Sequence, residues 1–393
     1  MCGPPVTGMH PDRMDQPAGL YIHIPFCVSK CGYCSFTSYP CAGAVPVDYL
    51  GALHKQAEQM AAHSMVRDRC FGTLFIGGGT PTVCDGEDLA QLVQSCLALF
   101  HFTENPEITV EANPNSVDAE KLQMLRAAGV NRLSIGVQAF SDRLLQKIER
   151  SHTVTDALQA VAMARQAGFD NLSLDLIYGL PGQDVADWQE TVAMALAQNP
   201  EHLSLYGLSV EDGTPFARRD ACGALHLPDE EAVLQMECFA YGQLARQGLG
   251  RYEISNFALP GRRSRHNENY WRNGNYLGLG AAAVSCLDHL RFRQVAAPDK
   301  FVELVNAGQP PFVDVECLPP AAAFRETVIM ALRMLDGIAV AELQKRFGIN
   351  PQEYYGPIFV RLQEQGLLEV ADGFLRLTAR ALPFANQVLA ELV

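Results

Sequence analysis

Three thiols stand close together in "HIPFCVSKCGYCSF": Cys27, Cys31 and Cys34, spaced C-x3-C-x2-C. Clustered thiolates bind soft metals. A structural zinc site closes with four ligands, yet the next plausible place for a fourth cysteine holds Phe36. His23 is the nearest other donor, and it falls inside the apolar alternation of "LYIHIPF". A thiol redox pair wants C-x2-C; Cys31 and Cys34 meet that spacing but leave Cys27 idle. Three thiolates on a four-iron cluster leave one iron without a protein ligand. That open position can hold a small molecule through an amine and a carboxylate, and Tyr33 can lay an aromatic face beside a bound base.

The elements that must position these groups read as a regular alternation from Leu20 onward. "LYIHIPF", "TLFIGGG", "EITVEANP", "RLSIGVQAF", "NLSLDLIYGLP" and "HLSLYGLSV" are short apolar runs, and each is followed by an amphipathic helical pattern. Six such units imply a parallel sheet with right-handed crossovers. They fall short of an eight-unit barrel, so the expected fold is α/β, a partial (β/α)6 barrel. The glycines in "AAGV" and "QAGF" suit helix C-caps. Polar chemistry gathers at one end of the strands. Cys27 follows the first, Gly77, Gly78 and Gly79 the second, Glu111 closes the third, Gln138 the fourth and Asp175 the fifth. A single Glu at a strand end is usually a surface residue; five successive strands ending this way point to a site at the carboxyl edge. There the glycines let backbone approach a ligand. Glu111 can pair with a cationic group, Gln138 and Asp175 can bond amines or hydroxyls, and Arg150 can clamp a carboxylate.

The bulk composition narrows the partners. The chain has 393 residues, 48% hydrophobic and 19% charged, with net charge −14 and pI near 5.2. That suits one large domain plus a small one. The acidic balance argues against a nucleic-acid partner held by phosphates. Met1 to Ala18 contain no apolar leader segment and no run is long enough to span a bilayer. A cytoplasmic protein with reduced thiols is expected, without membrane insertion but with peripheral membrane contact open to it. Cys70, Cys84, Cys96, Cys238 and Cys286 read as buried small hydrophobes, and Cys2 and Cys41 as spectators.

C-x3-C-x2-C after the first strand and "GGGTPT" after the second resemble the radical S-adenosylmethionine (SAM) superfamily. The resemblance implies a 4Fe–4S cluster on Cys27, Cys31 and Cys34, with SAM chelated to its unique iron and cleaved to a 5′-deoxyadenosyl radical. Carried over residue by residue, the matching cofactor positions are Tyr21, Tyr33, Gly78, Gly79, Thr80, Glu111, Gln138, Arg150 and Asp175. "YIHIPFC", "FIGGGTPT", "SIGVQAF", "DLIYGLPGQ", "YEISNFA" and "HNENYW" are similar to the oxygen-independent coproporphyrinogen III oxidase group over nearly the whole chain. The true oxidases carry a further cysteine, where Phe36 stands here, and a longer N-terminal segment. "CSF" and an H-N-x-x-Y-W motif instead resemble the HemW-type heme chaperones. Gly32 stands where many chaperones have Pro, with no evident physical consequence.

In that motif, His266 offers an axial nitrogen to heme iron, Tyr270 and Trp271 offer flat faces to a porphyrin, and Arg262, Arg263 and Arg265 can meet propionates. The competing reading is a packed segment with the aromatics as core anchors. "QPPFVDVECLPPAAA" reads as a connector, and beyond it helices and a hairpin at Asp372-Gly373 suggest a winged-helix-like α+β domain acting as a lid or partner-docking unit. The expected organisation is a flexible segment 1–18, a barrel over 19–250, a linking segment over 251–308 and a C-terminal domain over 309–393. The expected function is a heme chaperone that delivers heme to acceptor hemoproteins such as respiratory cytochromes. The alternative is coproporphyrinogen III oxidative decarboxylation in porphyrin biosynthesis.

Overall fold

The computed structural model describes residues 16–41 and 45–393, so the expected flexible segment 1–18 lies almost wholly outside the described residues. Six strands, β1 (Ala18–Ile24), β2 (Cys70–Gly78), β3 (His101–Ala112), β4 (Arg132–Gln138), β5 (Leu172–Tyr178) and β6 (His202–Gly207), run parallel in chain order. A helix follows each strand, the first over Val47–Ala62 and the last over Glu230–Arg246. The α/β partial barrel expected from the alternation is therefore present. Leu20, Ile22 and Ile24 of β1 pack outward into the main core with Leu53 and Leu92, while Tyr21 and His23 face the barrel interior and touch each other. The helices start where the chemistry places caps. Asp85, Asp118 and Asp229 each accept a first-turn amide, and Thr153/Asp156 and Asp184/Asp187 form reciprocal boxes, each worth about 1 kcal/mol.

The sheet does not close. Beyond β1 it continues through a parallel strand Tyr276–Leu279 and antiparallel strands Val284–Leu287, Leu290–Gln294 and Phe312–Cys317. Beyond β6 it continues antiparallel through Asn256–Ala258 and Gly250–Arg251, giving twelve strands. The segment expected to be a link thus extends the sheet at both edges. The expected connector contains an edge strand, and only Leu318–Pro319 separate it from the helix Pro320–Ala331. Paired prolines on both sides masked the alternation in "FVDVEC". Of the cysteines expected to be buried, Cys84, Cys96 and Cys286 are, Cys70 is half-buried, and Cys238 is exposed.

The C-terminal unit has its own core, including Phe324, Val328, Leu343, Phe359, Leu362 and Leu375. Helices Pro320–Ala331, Val340–Phe347 and Pro357–Glu364 surround a sheet of Ile338–Ala339, Phe374–Leu377 and Leu368–Ala371. This is the expected winged-helix arrangement, but not a lid. Leu335 donates its N–H to the Tyr252 carbonyl at 3.0 Å, Asn273 Nδ2 donates to Thr327 Oγ1 at 3.0 Å, Arg263 pairs with Asp336 at 2.6 Å, and the Arg333 guanidinium lies 4.5 Å over Trp271. Trp271 ends the helix Arg265–Trp271, which packs at the amino-terminal halves of β1 and β2. The domain therefore seats at the end of the barrel opposite the strand carboxyl ends.

Candidate functional site

The cysteine loop is tied at its base. Phe26–Cys27 and Tyr39–Pro40 form a short parallel ribbon, closed by Tyr39 N–H to the Pro25 carbonyl at 2.7 Å and Cys41 N–H to the Cys27 carbonyl at 2.8 Å. The Cys34 N–H turns back onto the Cys31 carbonyl at 3.1 Å. Gly32, silent in the sequence, has a physical role here. A Cβ at this position would lie 2.7 Å from the Phe216 ring, and its carbonyl accepts the Phe216 N–H at 3.0 Å. The loop is thereby docked onto the helix Pro215–Ala221.

All three cysteines line one cavity of about 450 Å³ at the strand carboxyl ends, together with Tyr33, Gly78, Gly79, Thr80, Glu111, Gln138, Arg150 and Asp175. Thr80 Oγ1 donates to Cys27 Sγ at 3.5 Å, and Arg150 Nη1 donates to Cys31 Sγ at 3.6 Å. Among the described residues no group of His, Cys, Asp and Glu closes on a single metal ion. His23 is no fourth ligand: Nδ1 bonds Tyr21 Oη at 2.8 Å and Nε2 bonds the Thr37 carbonyl at 3.1 Å. Three thiols around a cavity wall, with no group converging on a single ion among the described residues, fit a multi-iron cluster rather than zinc.

Gly77, Gly78 and Gly79 answer first to the protein itself. Cβ atoms there would come within 2.7 Å of Glu111 Oε2, 2.7 Å of the His23 ring and 2.5 Å of the Phe26 carbonyl oxygen, respectively. Gly78, at φ +115°, turns its N–H onto Glu111 Oε2 at 3.2 Å. Gln138 sits at a bulge where the β4–β5 register slips, with φ +66°, and lines the cavity. The Arg150 guanidinium is fixed by the Gly136 carbonyl at 2.6 Å and Asn113 Oδ1 at 3.3 Å. Tyr21 differs from expectation. Its hydroxyl is held by His23 and its ring packs by Phe75 and His266, so it stands below the cavity rather than in its wall. Sequence reasoning missed Asn113, Ser134 and Tyr206, which line the cavity. Tyr206, an aromatic at the end of the sixth strand, was the legible one.

Two carboxylates share the cavity floor. Ser134 Oγ donates to both Asp175 oxygens at 3.1 Å, and burial raises the Asp175 carboxyl above the ordinary range. Burial first, then the Asp175 charge, pushes Glu111 up to about 7 from an ordinary 4.5. Between those values the folded chain binds more protons than the unfolded one. The stabilising contribution of Glu111 is therefore fully present below about 4.5 and is lost as pH rises through about 7. Glu111→Gln is accordingly expected to stabilise the cofactor-free protein at pH 8 by roughly 2–3 kcal/mol and to change little at pH 4. Unfolding measured at both pH values checks this; equal stability at pH 8 would show that the carboxyl is not under strain.

The H-N-x-x-Y-W segment is the plug at the other end of the barrel. His266 is 1% exposed, bonds Thr73 Oγ1 through Nδ1 at 2.7 Å, and stacks on Phe75 at 5.0 Å; burial lowers its pKa to about 3. Glu107 accepts the first two amides of this helix, from Arg265 and His266, each at 3.0 Å. Tyr270 packs edge-on to His266, whereas Trp271 faces the C-terminal unit under Arg333. Of the three, only His266 is fully buried; Tyr270 and Trp271 are half-buried. Arg262 is committed to Asp170, Arg263 to Asp336, and Arg265 to the Asn105 carbonyl. The residues expected to form a porphyrin platform lie here in a helix that buries His266 and sets Trp271 against Arg333.

The sequence pattern of the radical SAM superfamily matches residues 21–195, and that of the HemN C-terminal domain matches residues 318–384. The heme chaperone HemW of Bacillus subtilis (strain 168) is 36% identical over 374 residues, covering 95% of this chain and 98% of that protein. The chain belongs to the HemW family. HemW of Escherichia coli K12 is 39% identical over 268 residues, 68% of this chain and 69% of that one. A bovine relative, radical S-adenosyl methionine domain-containing protein 1, mitochondrial, is 33% identical and covers 96% of this chain and 88% of its own. Among solved structures, coproporphyrinogen III oxidase (HemN) of Escherichia coli superposes with a TM-score of 0.82 at 22% identity, over 98% of this chain and 91% of that one. That likeness establishes the fold. Radical SAM membership implies a 4Fe–4S cluster and SAM for the HemW family.

Proposed function

We propose that this protein binds heme and delivers it to acceptor hemoproteins, with a 4Fe–4S cluster on Cys27, Cys31 and Cys34 and SAM beside it in the cavity. When bound, the cluster and SAM supply one-electron cleavage of a sulfonium. The chain's residues hold and orient them. Gly78, Gly79 and Thr80 present backbone and hydroxyl at the cavity wall, Glu111, Gln138 and Asp175 accept or donate to amine and hydroxyl groups, and Tyr33 flanks the base. Arg150 places its charge beside Cys31, where an N–H···S contact steadies a thiolate.

One observation carries the chaperone reading over the oxidase: Phe36, 68% exposed, occupies the rim of the cavity where the oxidases carry a further cysteine. With Tyr206, also part of the cavity lining and partly exposed, it gives the cavity aromatic surface suited to a porphyrin. In this proposal heme sits at the cavity mouth rather than at His266, Tyr270 and Trp271. The acceptors are hemoproteins, respiratory cytochromes among them, met in the cytoplasm or by peripheral contact with a membrane. No helix among the described residues is long and apolar enough to cross one. The C-terminal unit, away from the cavity, serves as a partner-docking surface.

The second reading, coproporphyrinogen III oxidation, rests on the likeness of fold. Cluster-loaded protein incubated anaerobically with coproporphyrinogen III, SAM and a reductant is expected to leave the substrate unchanged, as followed by chromatography. Protoporphyrinogen IX in the mixture would restore the oxidase.

A further inference from the structure

A chain of hydrogen bonds runs from the cavity floor to the seat of the C-terminal unit. Ser173 Oγ stands 3.4 Å from Asp175 Oδ1 and 2.8 Å from His202 Nδ1. His202 Nε2 stands 2.9 Å from the Tyr252 hydroxyl, and that oxygen accepts the Ser264 N–H at 3.2 Å. Ser173, His202, Tyr252 and Ser264 are all buried. With Asp175 ionised and the imidazole neutral, one placement of protons makes all four bonds. The Ser264 amide gives to Tyr252, the Tyr252 hydroxyl to Nε2, Nδ1–H to Ser173, and the Ser173 hydroxyl to the carboxylate. Every donor then points toward Asp175, and the imidazole is neutral, as its burial requires.

Tyr252 serves both ends. Its hydroxyl belongs to this relay, while its carbonyl accepts the Leu335 N–H of the C-terminal unit and its neighbour Glu253 bridges Met334. Arg263 lies 5.3 Å over its ring and pairs with Asp336. We propose that His202 and Tyr252 are positioning residues for Asp175, and that through Tyr252 the seating of the C-terminal unit is coupled to occupancy of the cavity. This rests on the reading above that Asp175 binds SAM. Since coupling is reciprocal, a ligand that tightens Asp175 tightens the Tyr252–Leu335 junction, and a partner that loosens the C-terminal unit weakens binding 

at the cavity.

The test uses full-length, cluster-loaded protein, with SAM titrated calorimetrically into wild type, Tyr252→Phe, Asp175→Asn and the double variant. Tyr252→Phe keeps the ring and both main-chain contacts while removing the relay hydroxyl. It is expected to weaken SAM binding by about threefold, the modest coupling suited to a 3.4 Å last link, and to add nothing once Asp175 is replaced. In wild type, SAM should also slow hydrogen exchange at the Leu335 amide, and in Tyr252→Phe it should not. If Asp175→Asn weakens binding while Tyr252→Phe is silent, or the two effects multiply independently, the relay is overturned and the SAM reading stands. If Leu335 exchange is indifferent to SAM, the coupling to the C-terminal unit is overturned. If Asp175→Asn itself binds SAM as wild type does, the underlying reading fails and the relay falls with it.

Discussion

Anaerobic reconstitution of Cys31→Ala is expected to return protein with little iron and without the broad visible absorption of a 4Fe–4S cluster. Cys27, Cys31 and Cys34 line one cavity, and the two sequence candidates for a fourth ligand cannot step in. His23 has both ring nitrogens bonded, and Phe36 has no ligand atom on its side chain. Loss of one thiolate leaves two, too few to hold four irons. Cys31 is also the most enclosed of the three and the one that faces Arg150, so its loss removes the best-shielded ligand. The fold should survive, because Cys31 sits on a loop held by the ribbon at its base and by Gly32 on Phe216. Iron analysis and circular dichroism on the same sample separate the two effects. A full four irons per chain would remove the cluster assignment.

His266→Ala is expected to destabilise the protein by about 2–4 kcal/mol while leaving heme stoichiometry unchanged. The imidazole fills the base of the barrel against Phe75, Tyr270 and the Thr73 hydroxyl, and its removal leaves a cavity and an orphaned donor. Trp271→Ala should instead cost about 1–2 kcal/mol through the lost contact with Arg333 and loosen the C-terminal unit. Phe36→Ser, on an exposed rim, should scarcely change stability yet weaken heme binding. Thermal unfolding and heme titration of the three variants decide between the mouth and the plug. Loss of the heme complex in a well-folded His266→Ala protein would place the iron ligand at the plug and require its helix to swing out.

The six-fold alternation was readable because each unit is local. A buried parallel strand must be apolar throughout, its helix must alternate every three or four residues, and Asp85, Thr153 and Asp184 mark the helix starts chemically. The cavity was readable for the same reason, since Cys27 follows the first strand, Gly78 and Gln138 end the second and fourth, and Glu111 stands one residue from the end of the third; Asp175, expected to close the fifth, lies midway along Leu172–Tyr178 and still lines the cavity. What was hidden depends on distant pairing. The strand Phe312–Cys317 exists because Leu290–Gln294 offers it an edge. The role of Gly32 depends on Phe216, far along the chain. The motif at His266 was ambiguous because a ligand-like His-Tyr-Trp set and a barrel plug use the same residue types. Only the partners, Thr73, Glu107 and Phe75, distinguish them.

This member of the HemW family is expected to carry heme in order to give it away. The most direct measurement loads the cluster-bearing protein with one equivalent of heme, mixes it anaerobically with an apo-hemoprotein and follows the Soret band. The donor's band is expected to give way to the acceptor's spectrum, faster than free heme release alone allows. A protein that takes up no heme, or that holds it unchanged in the presence of the acceptor, would contradict the claim.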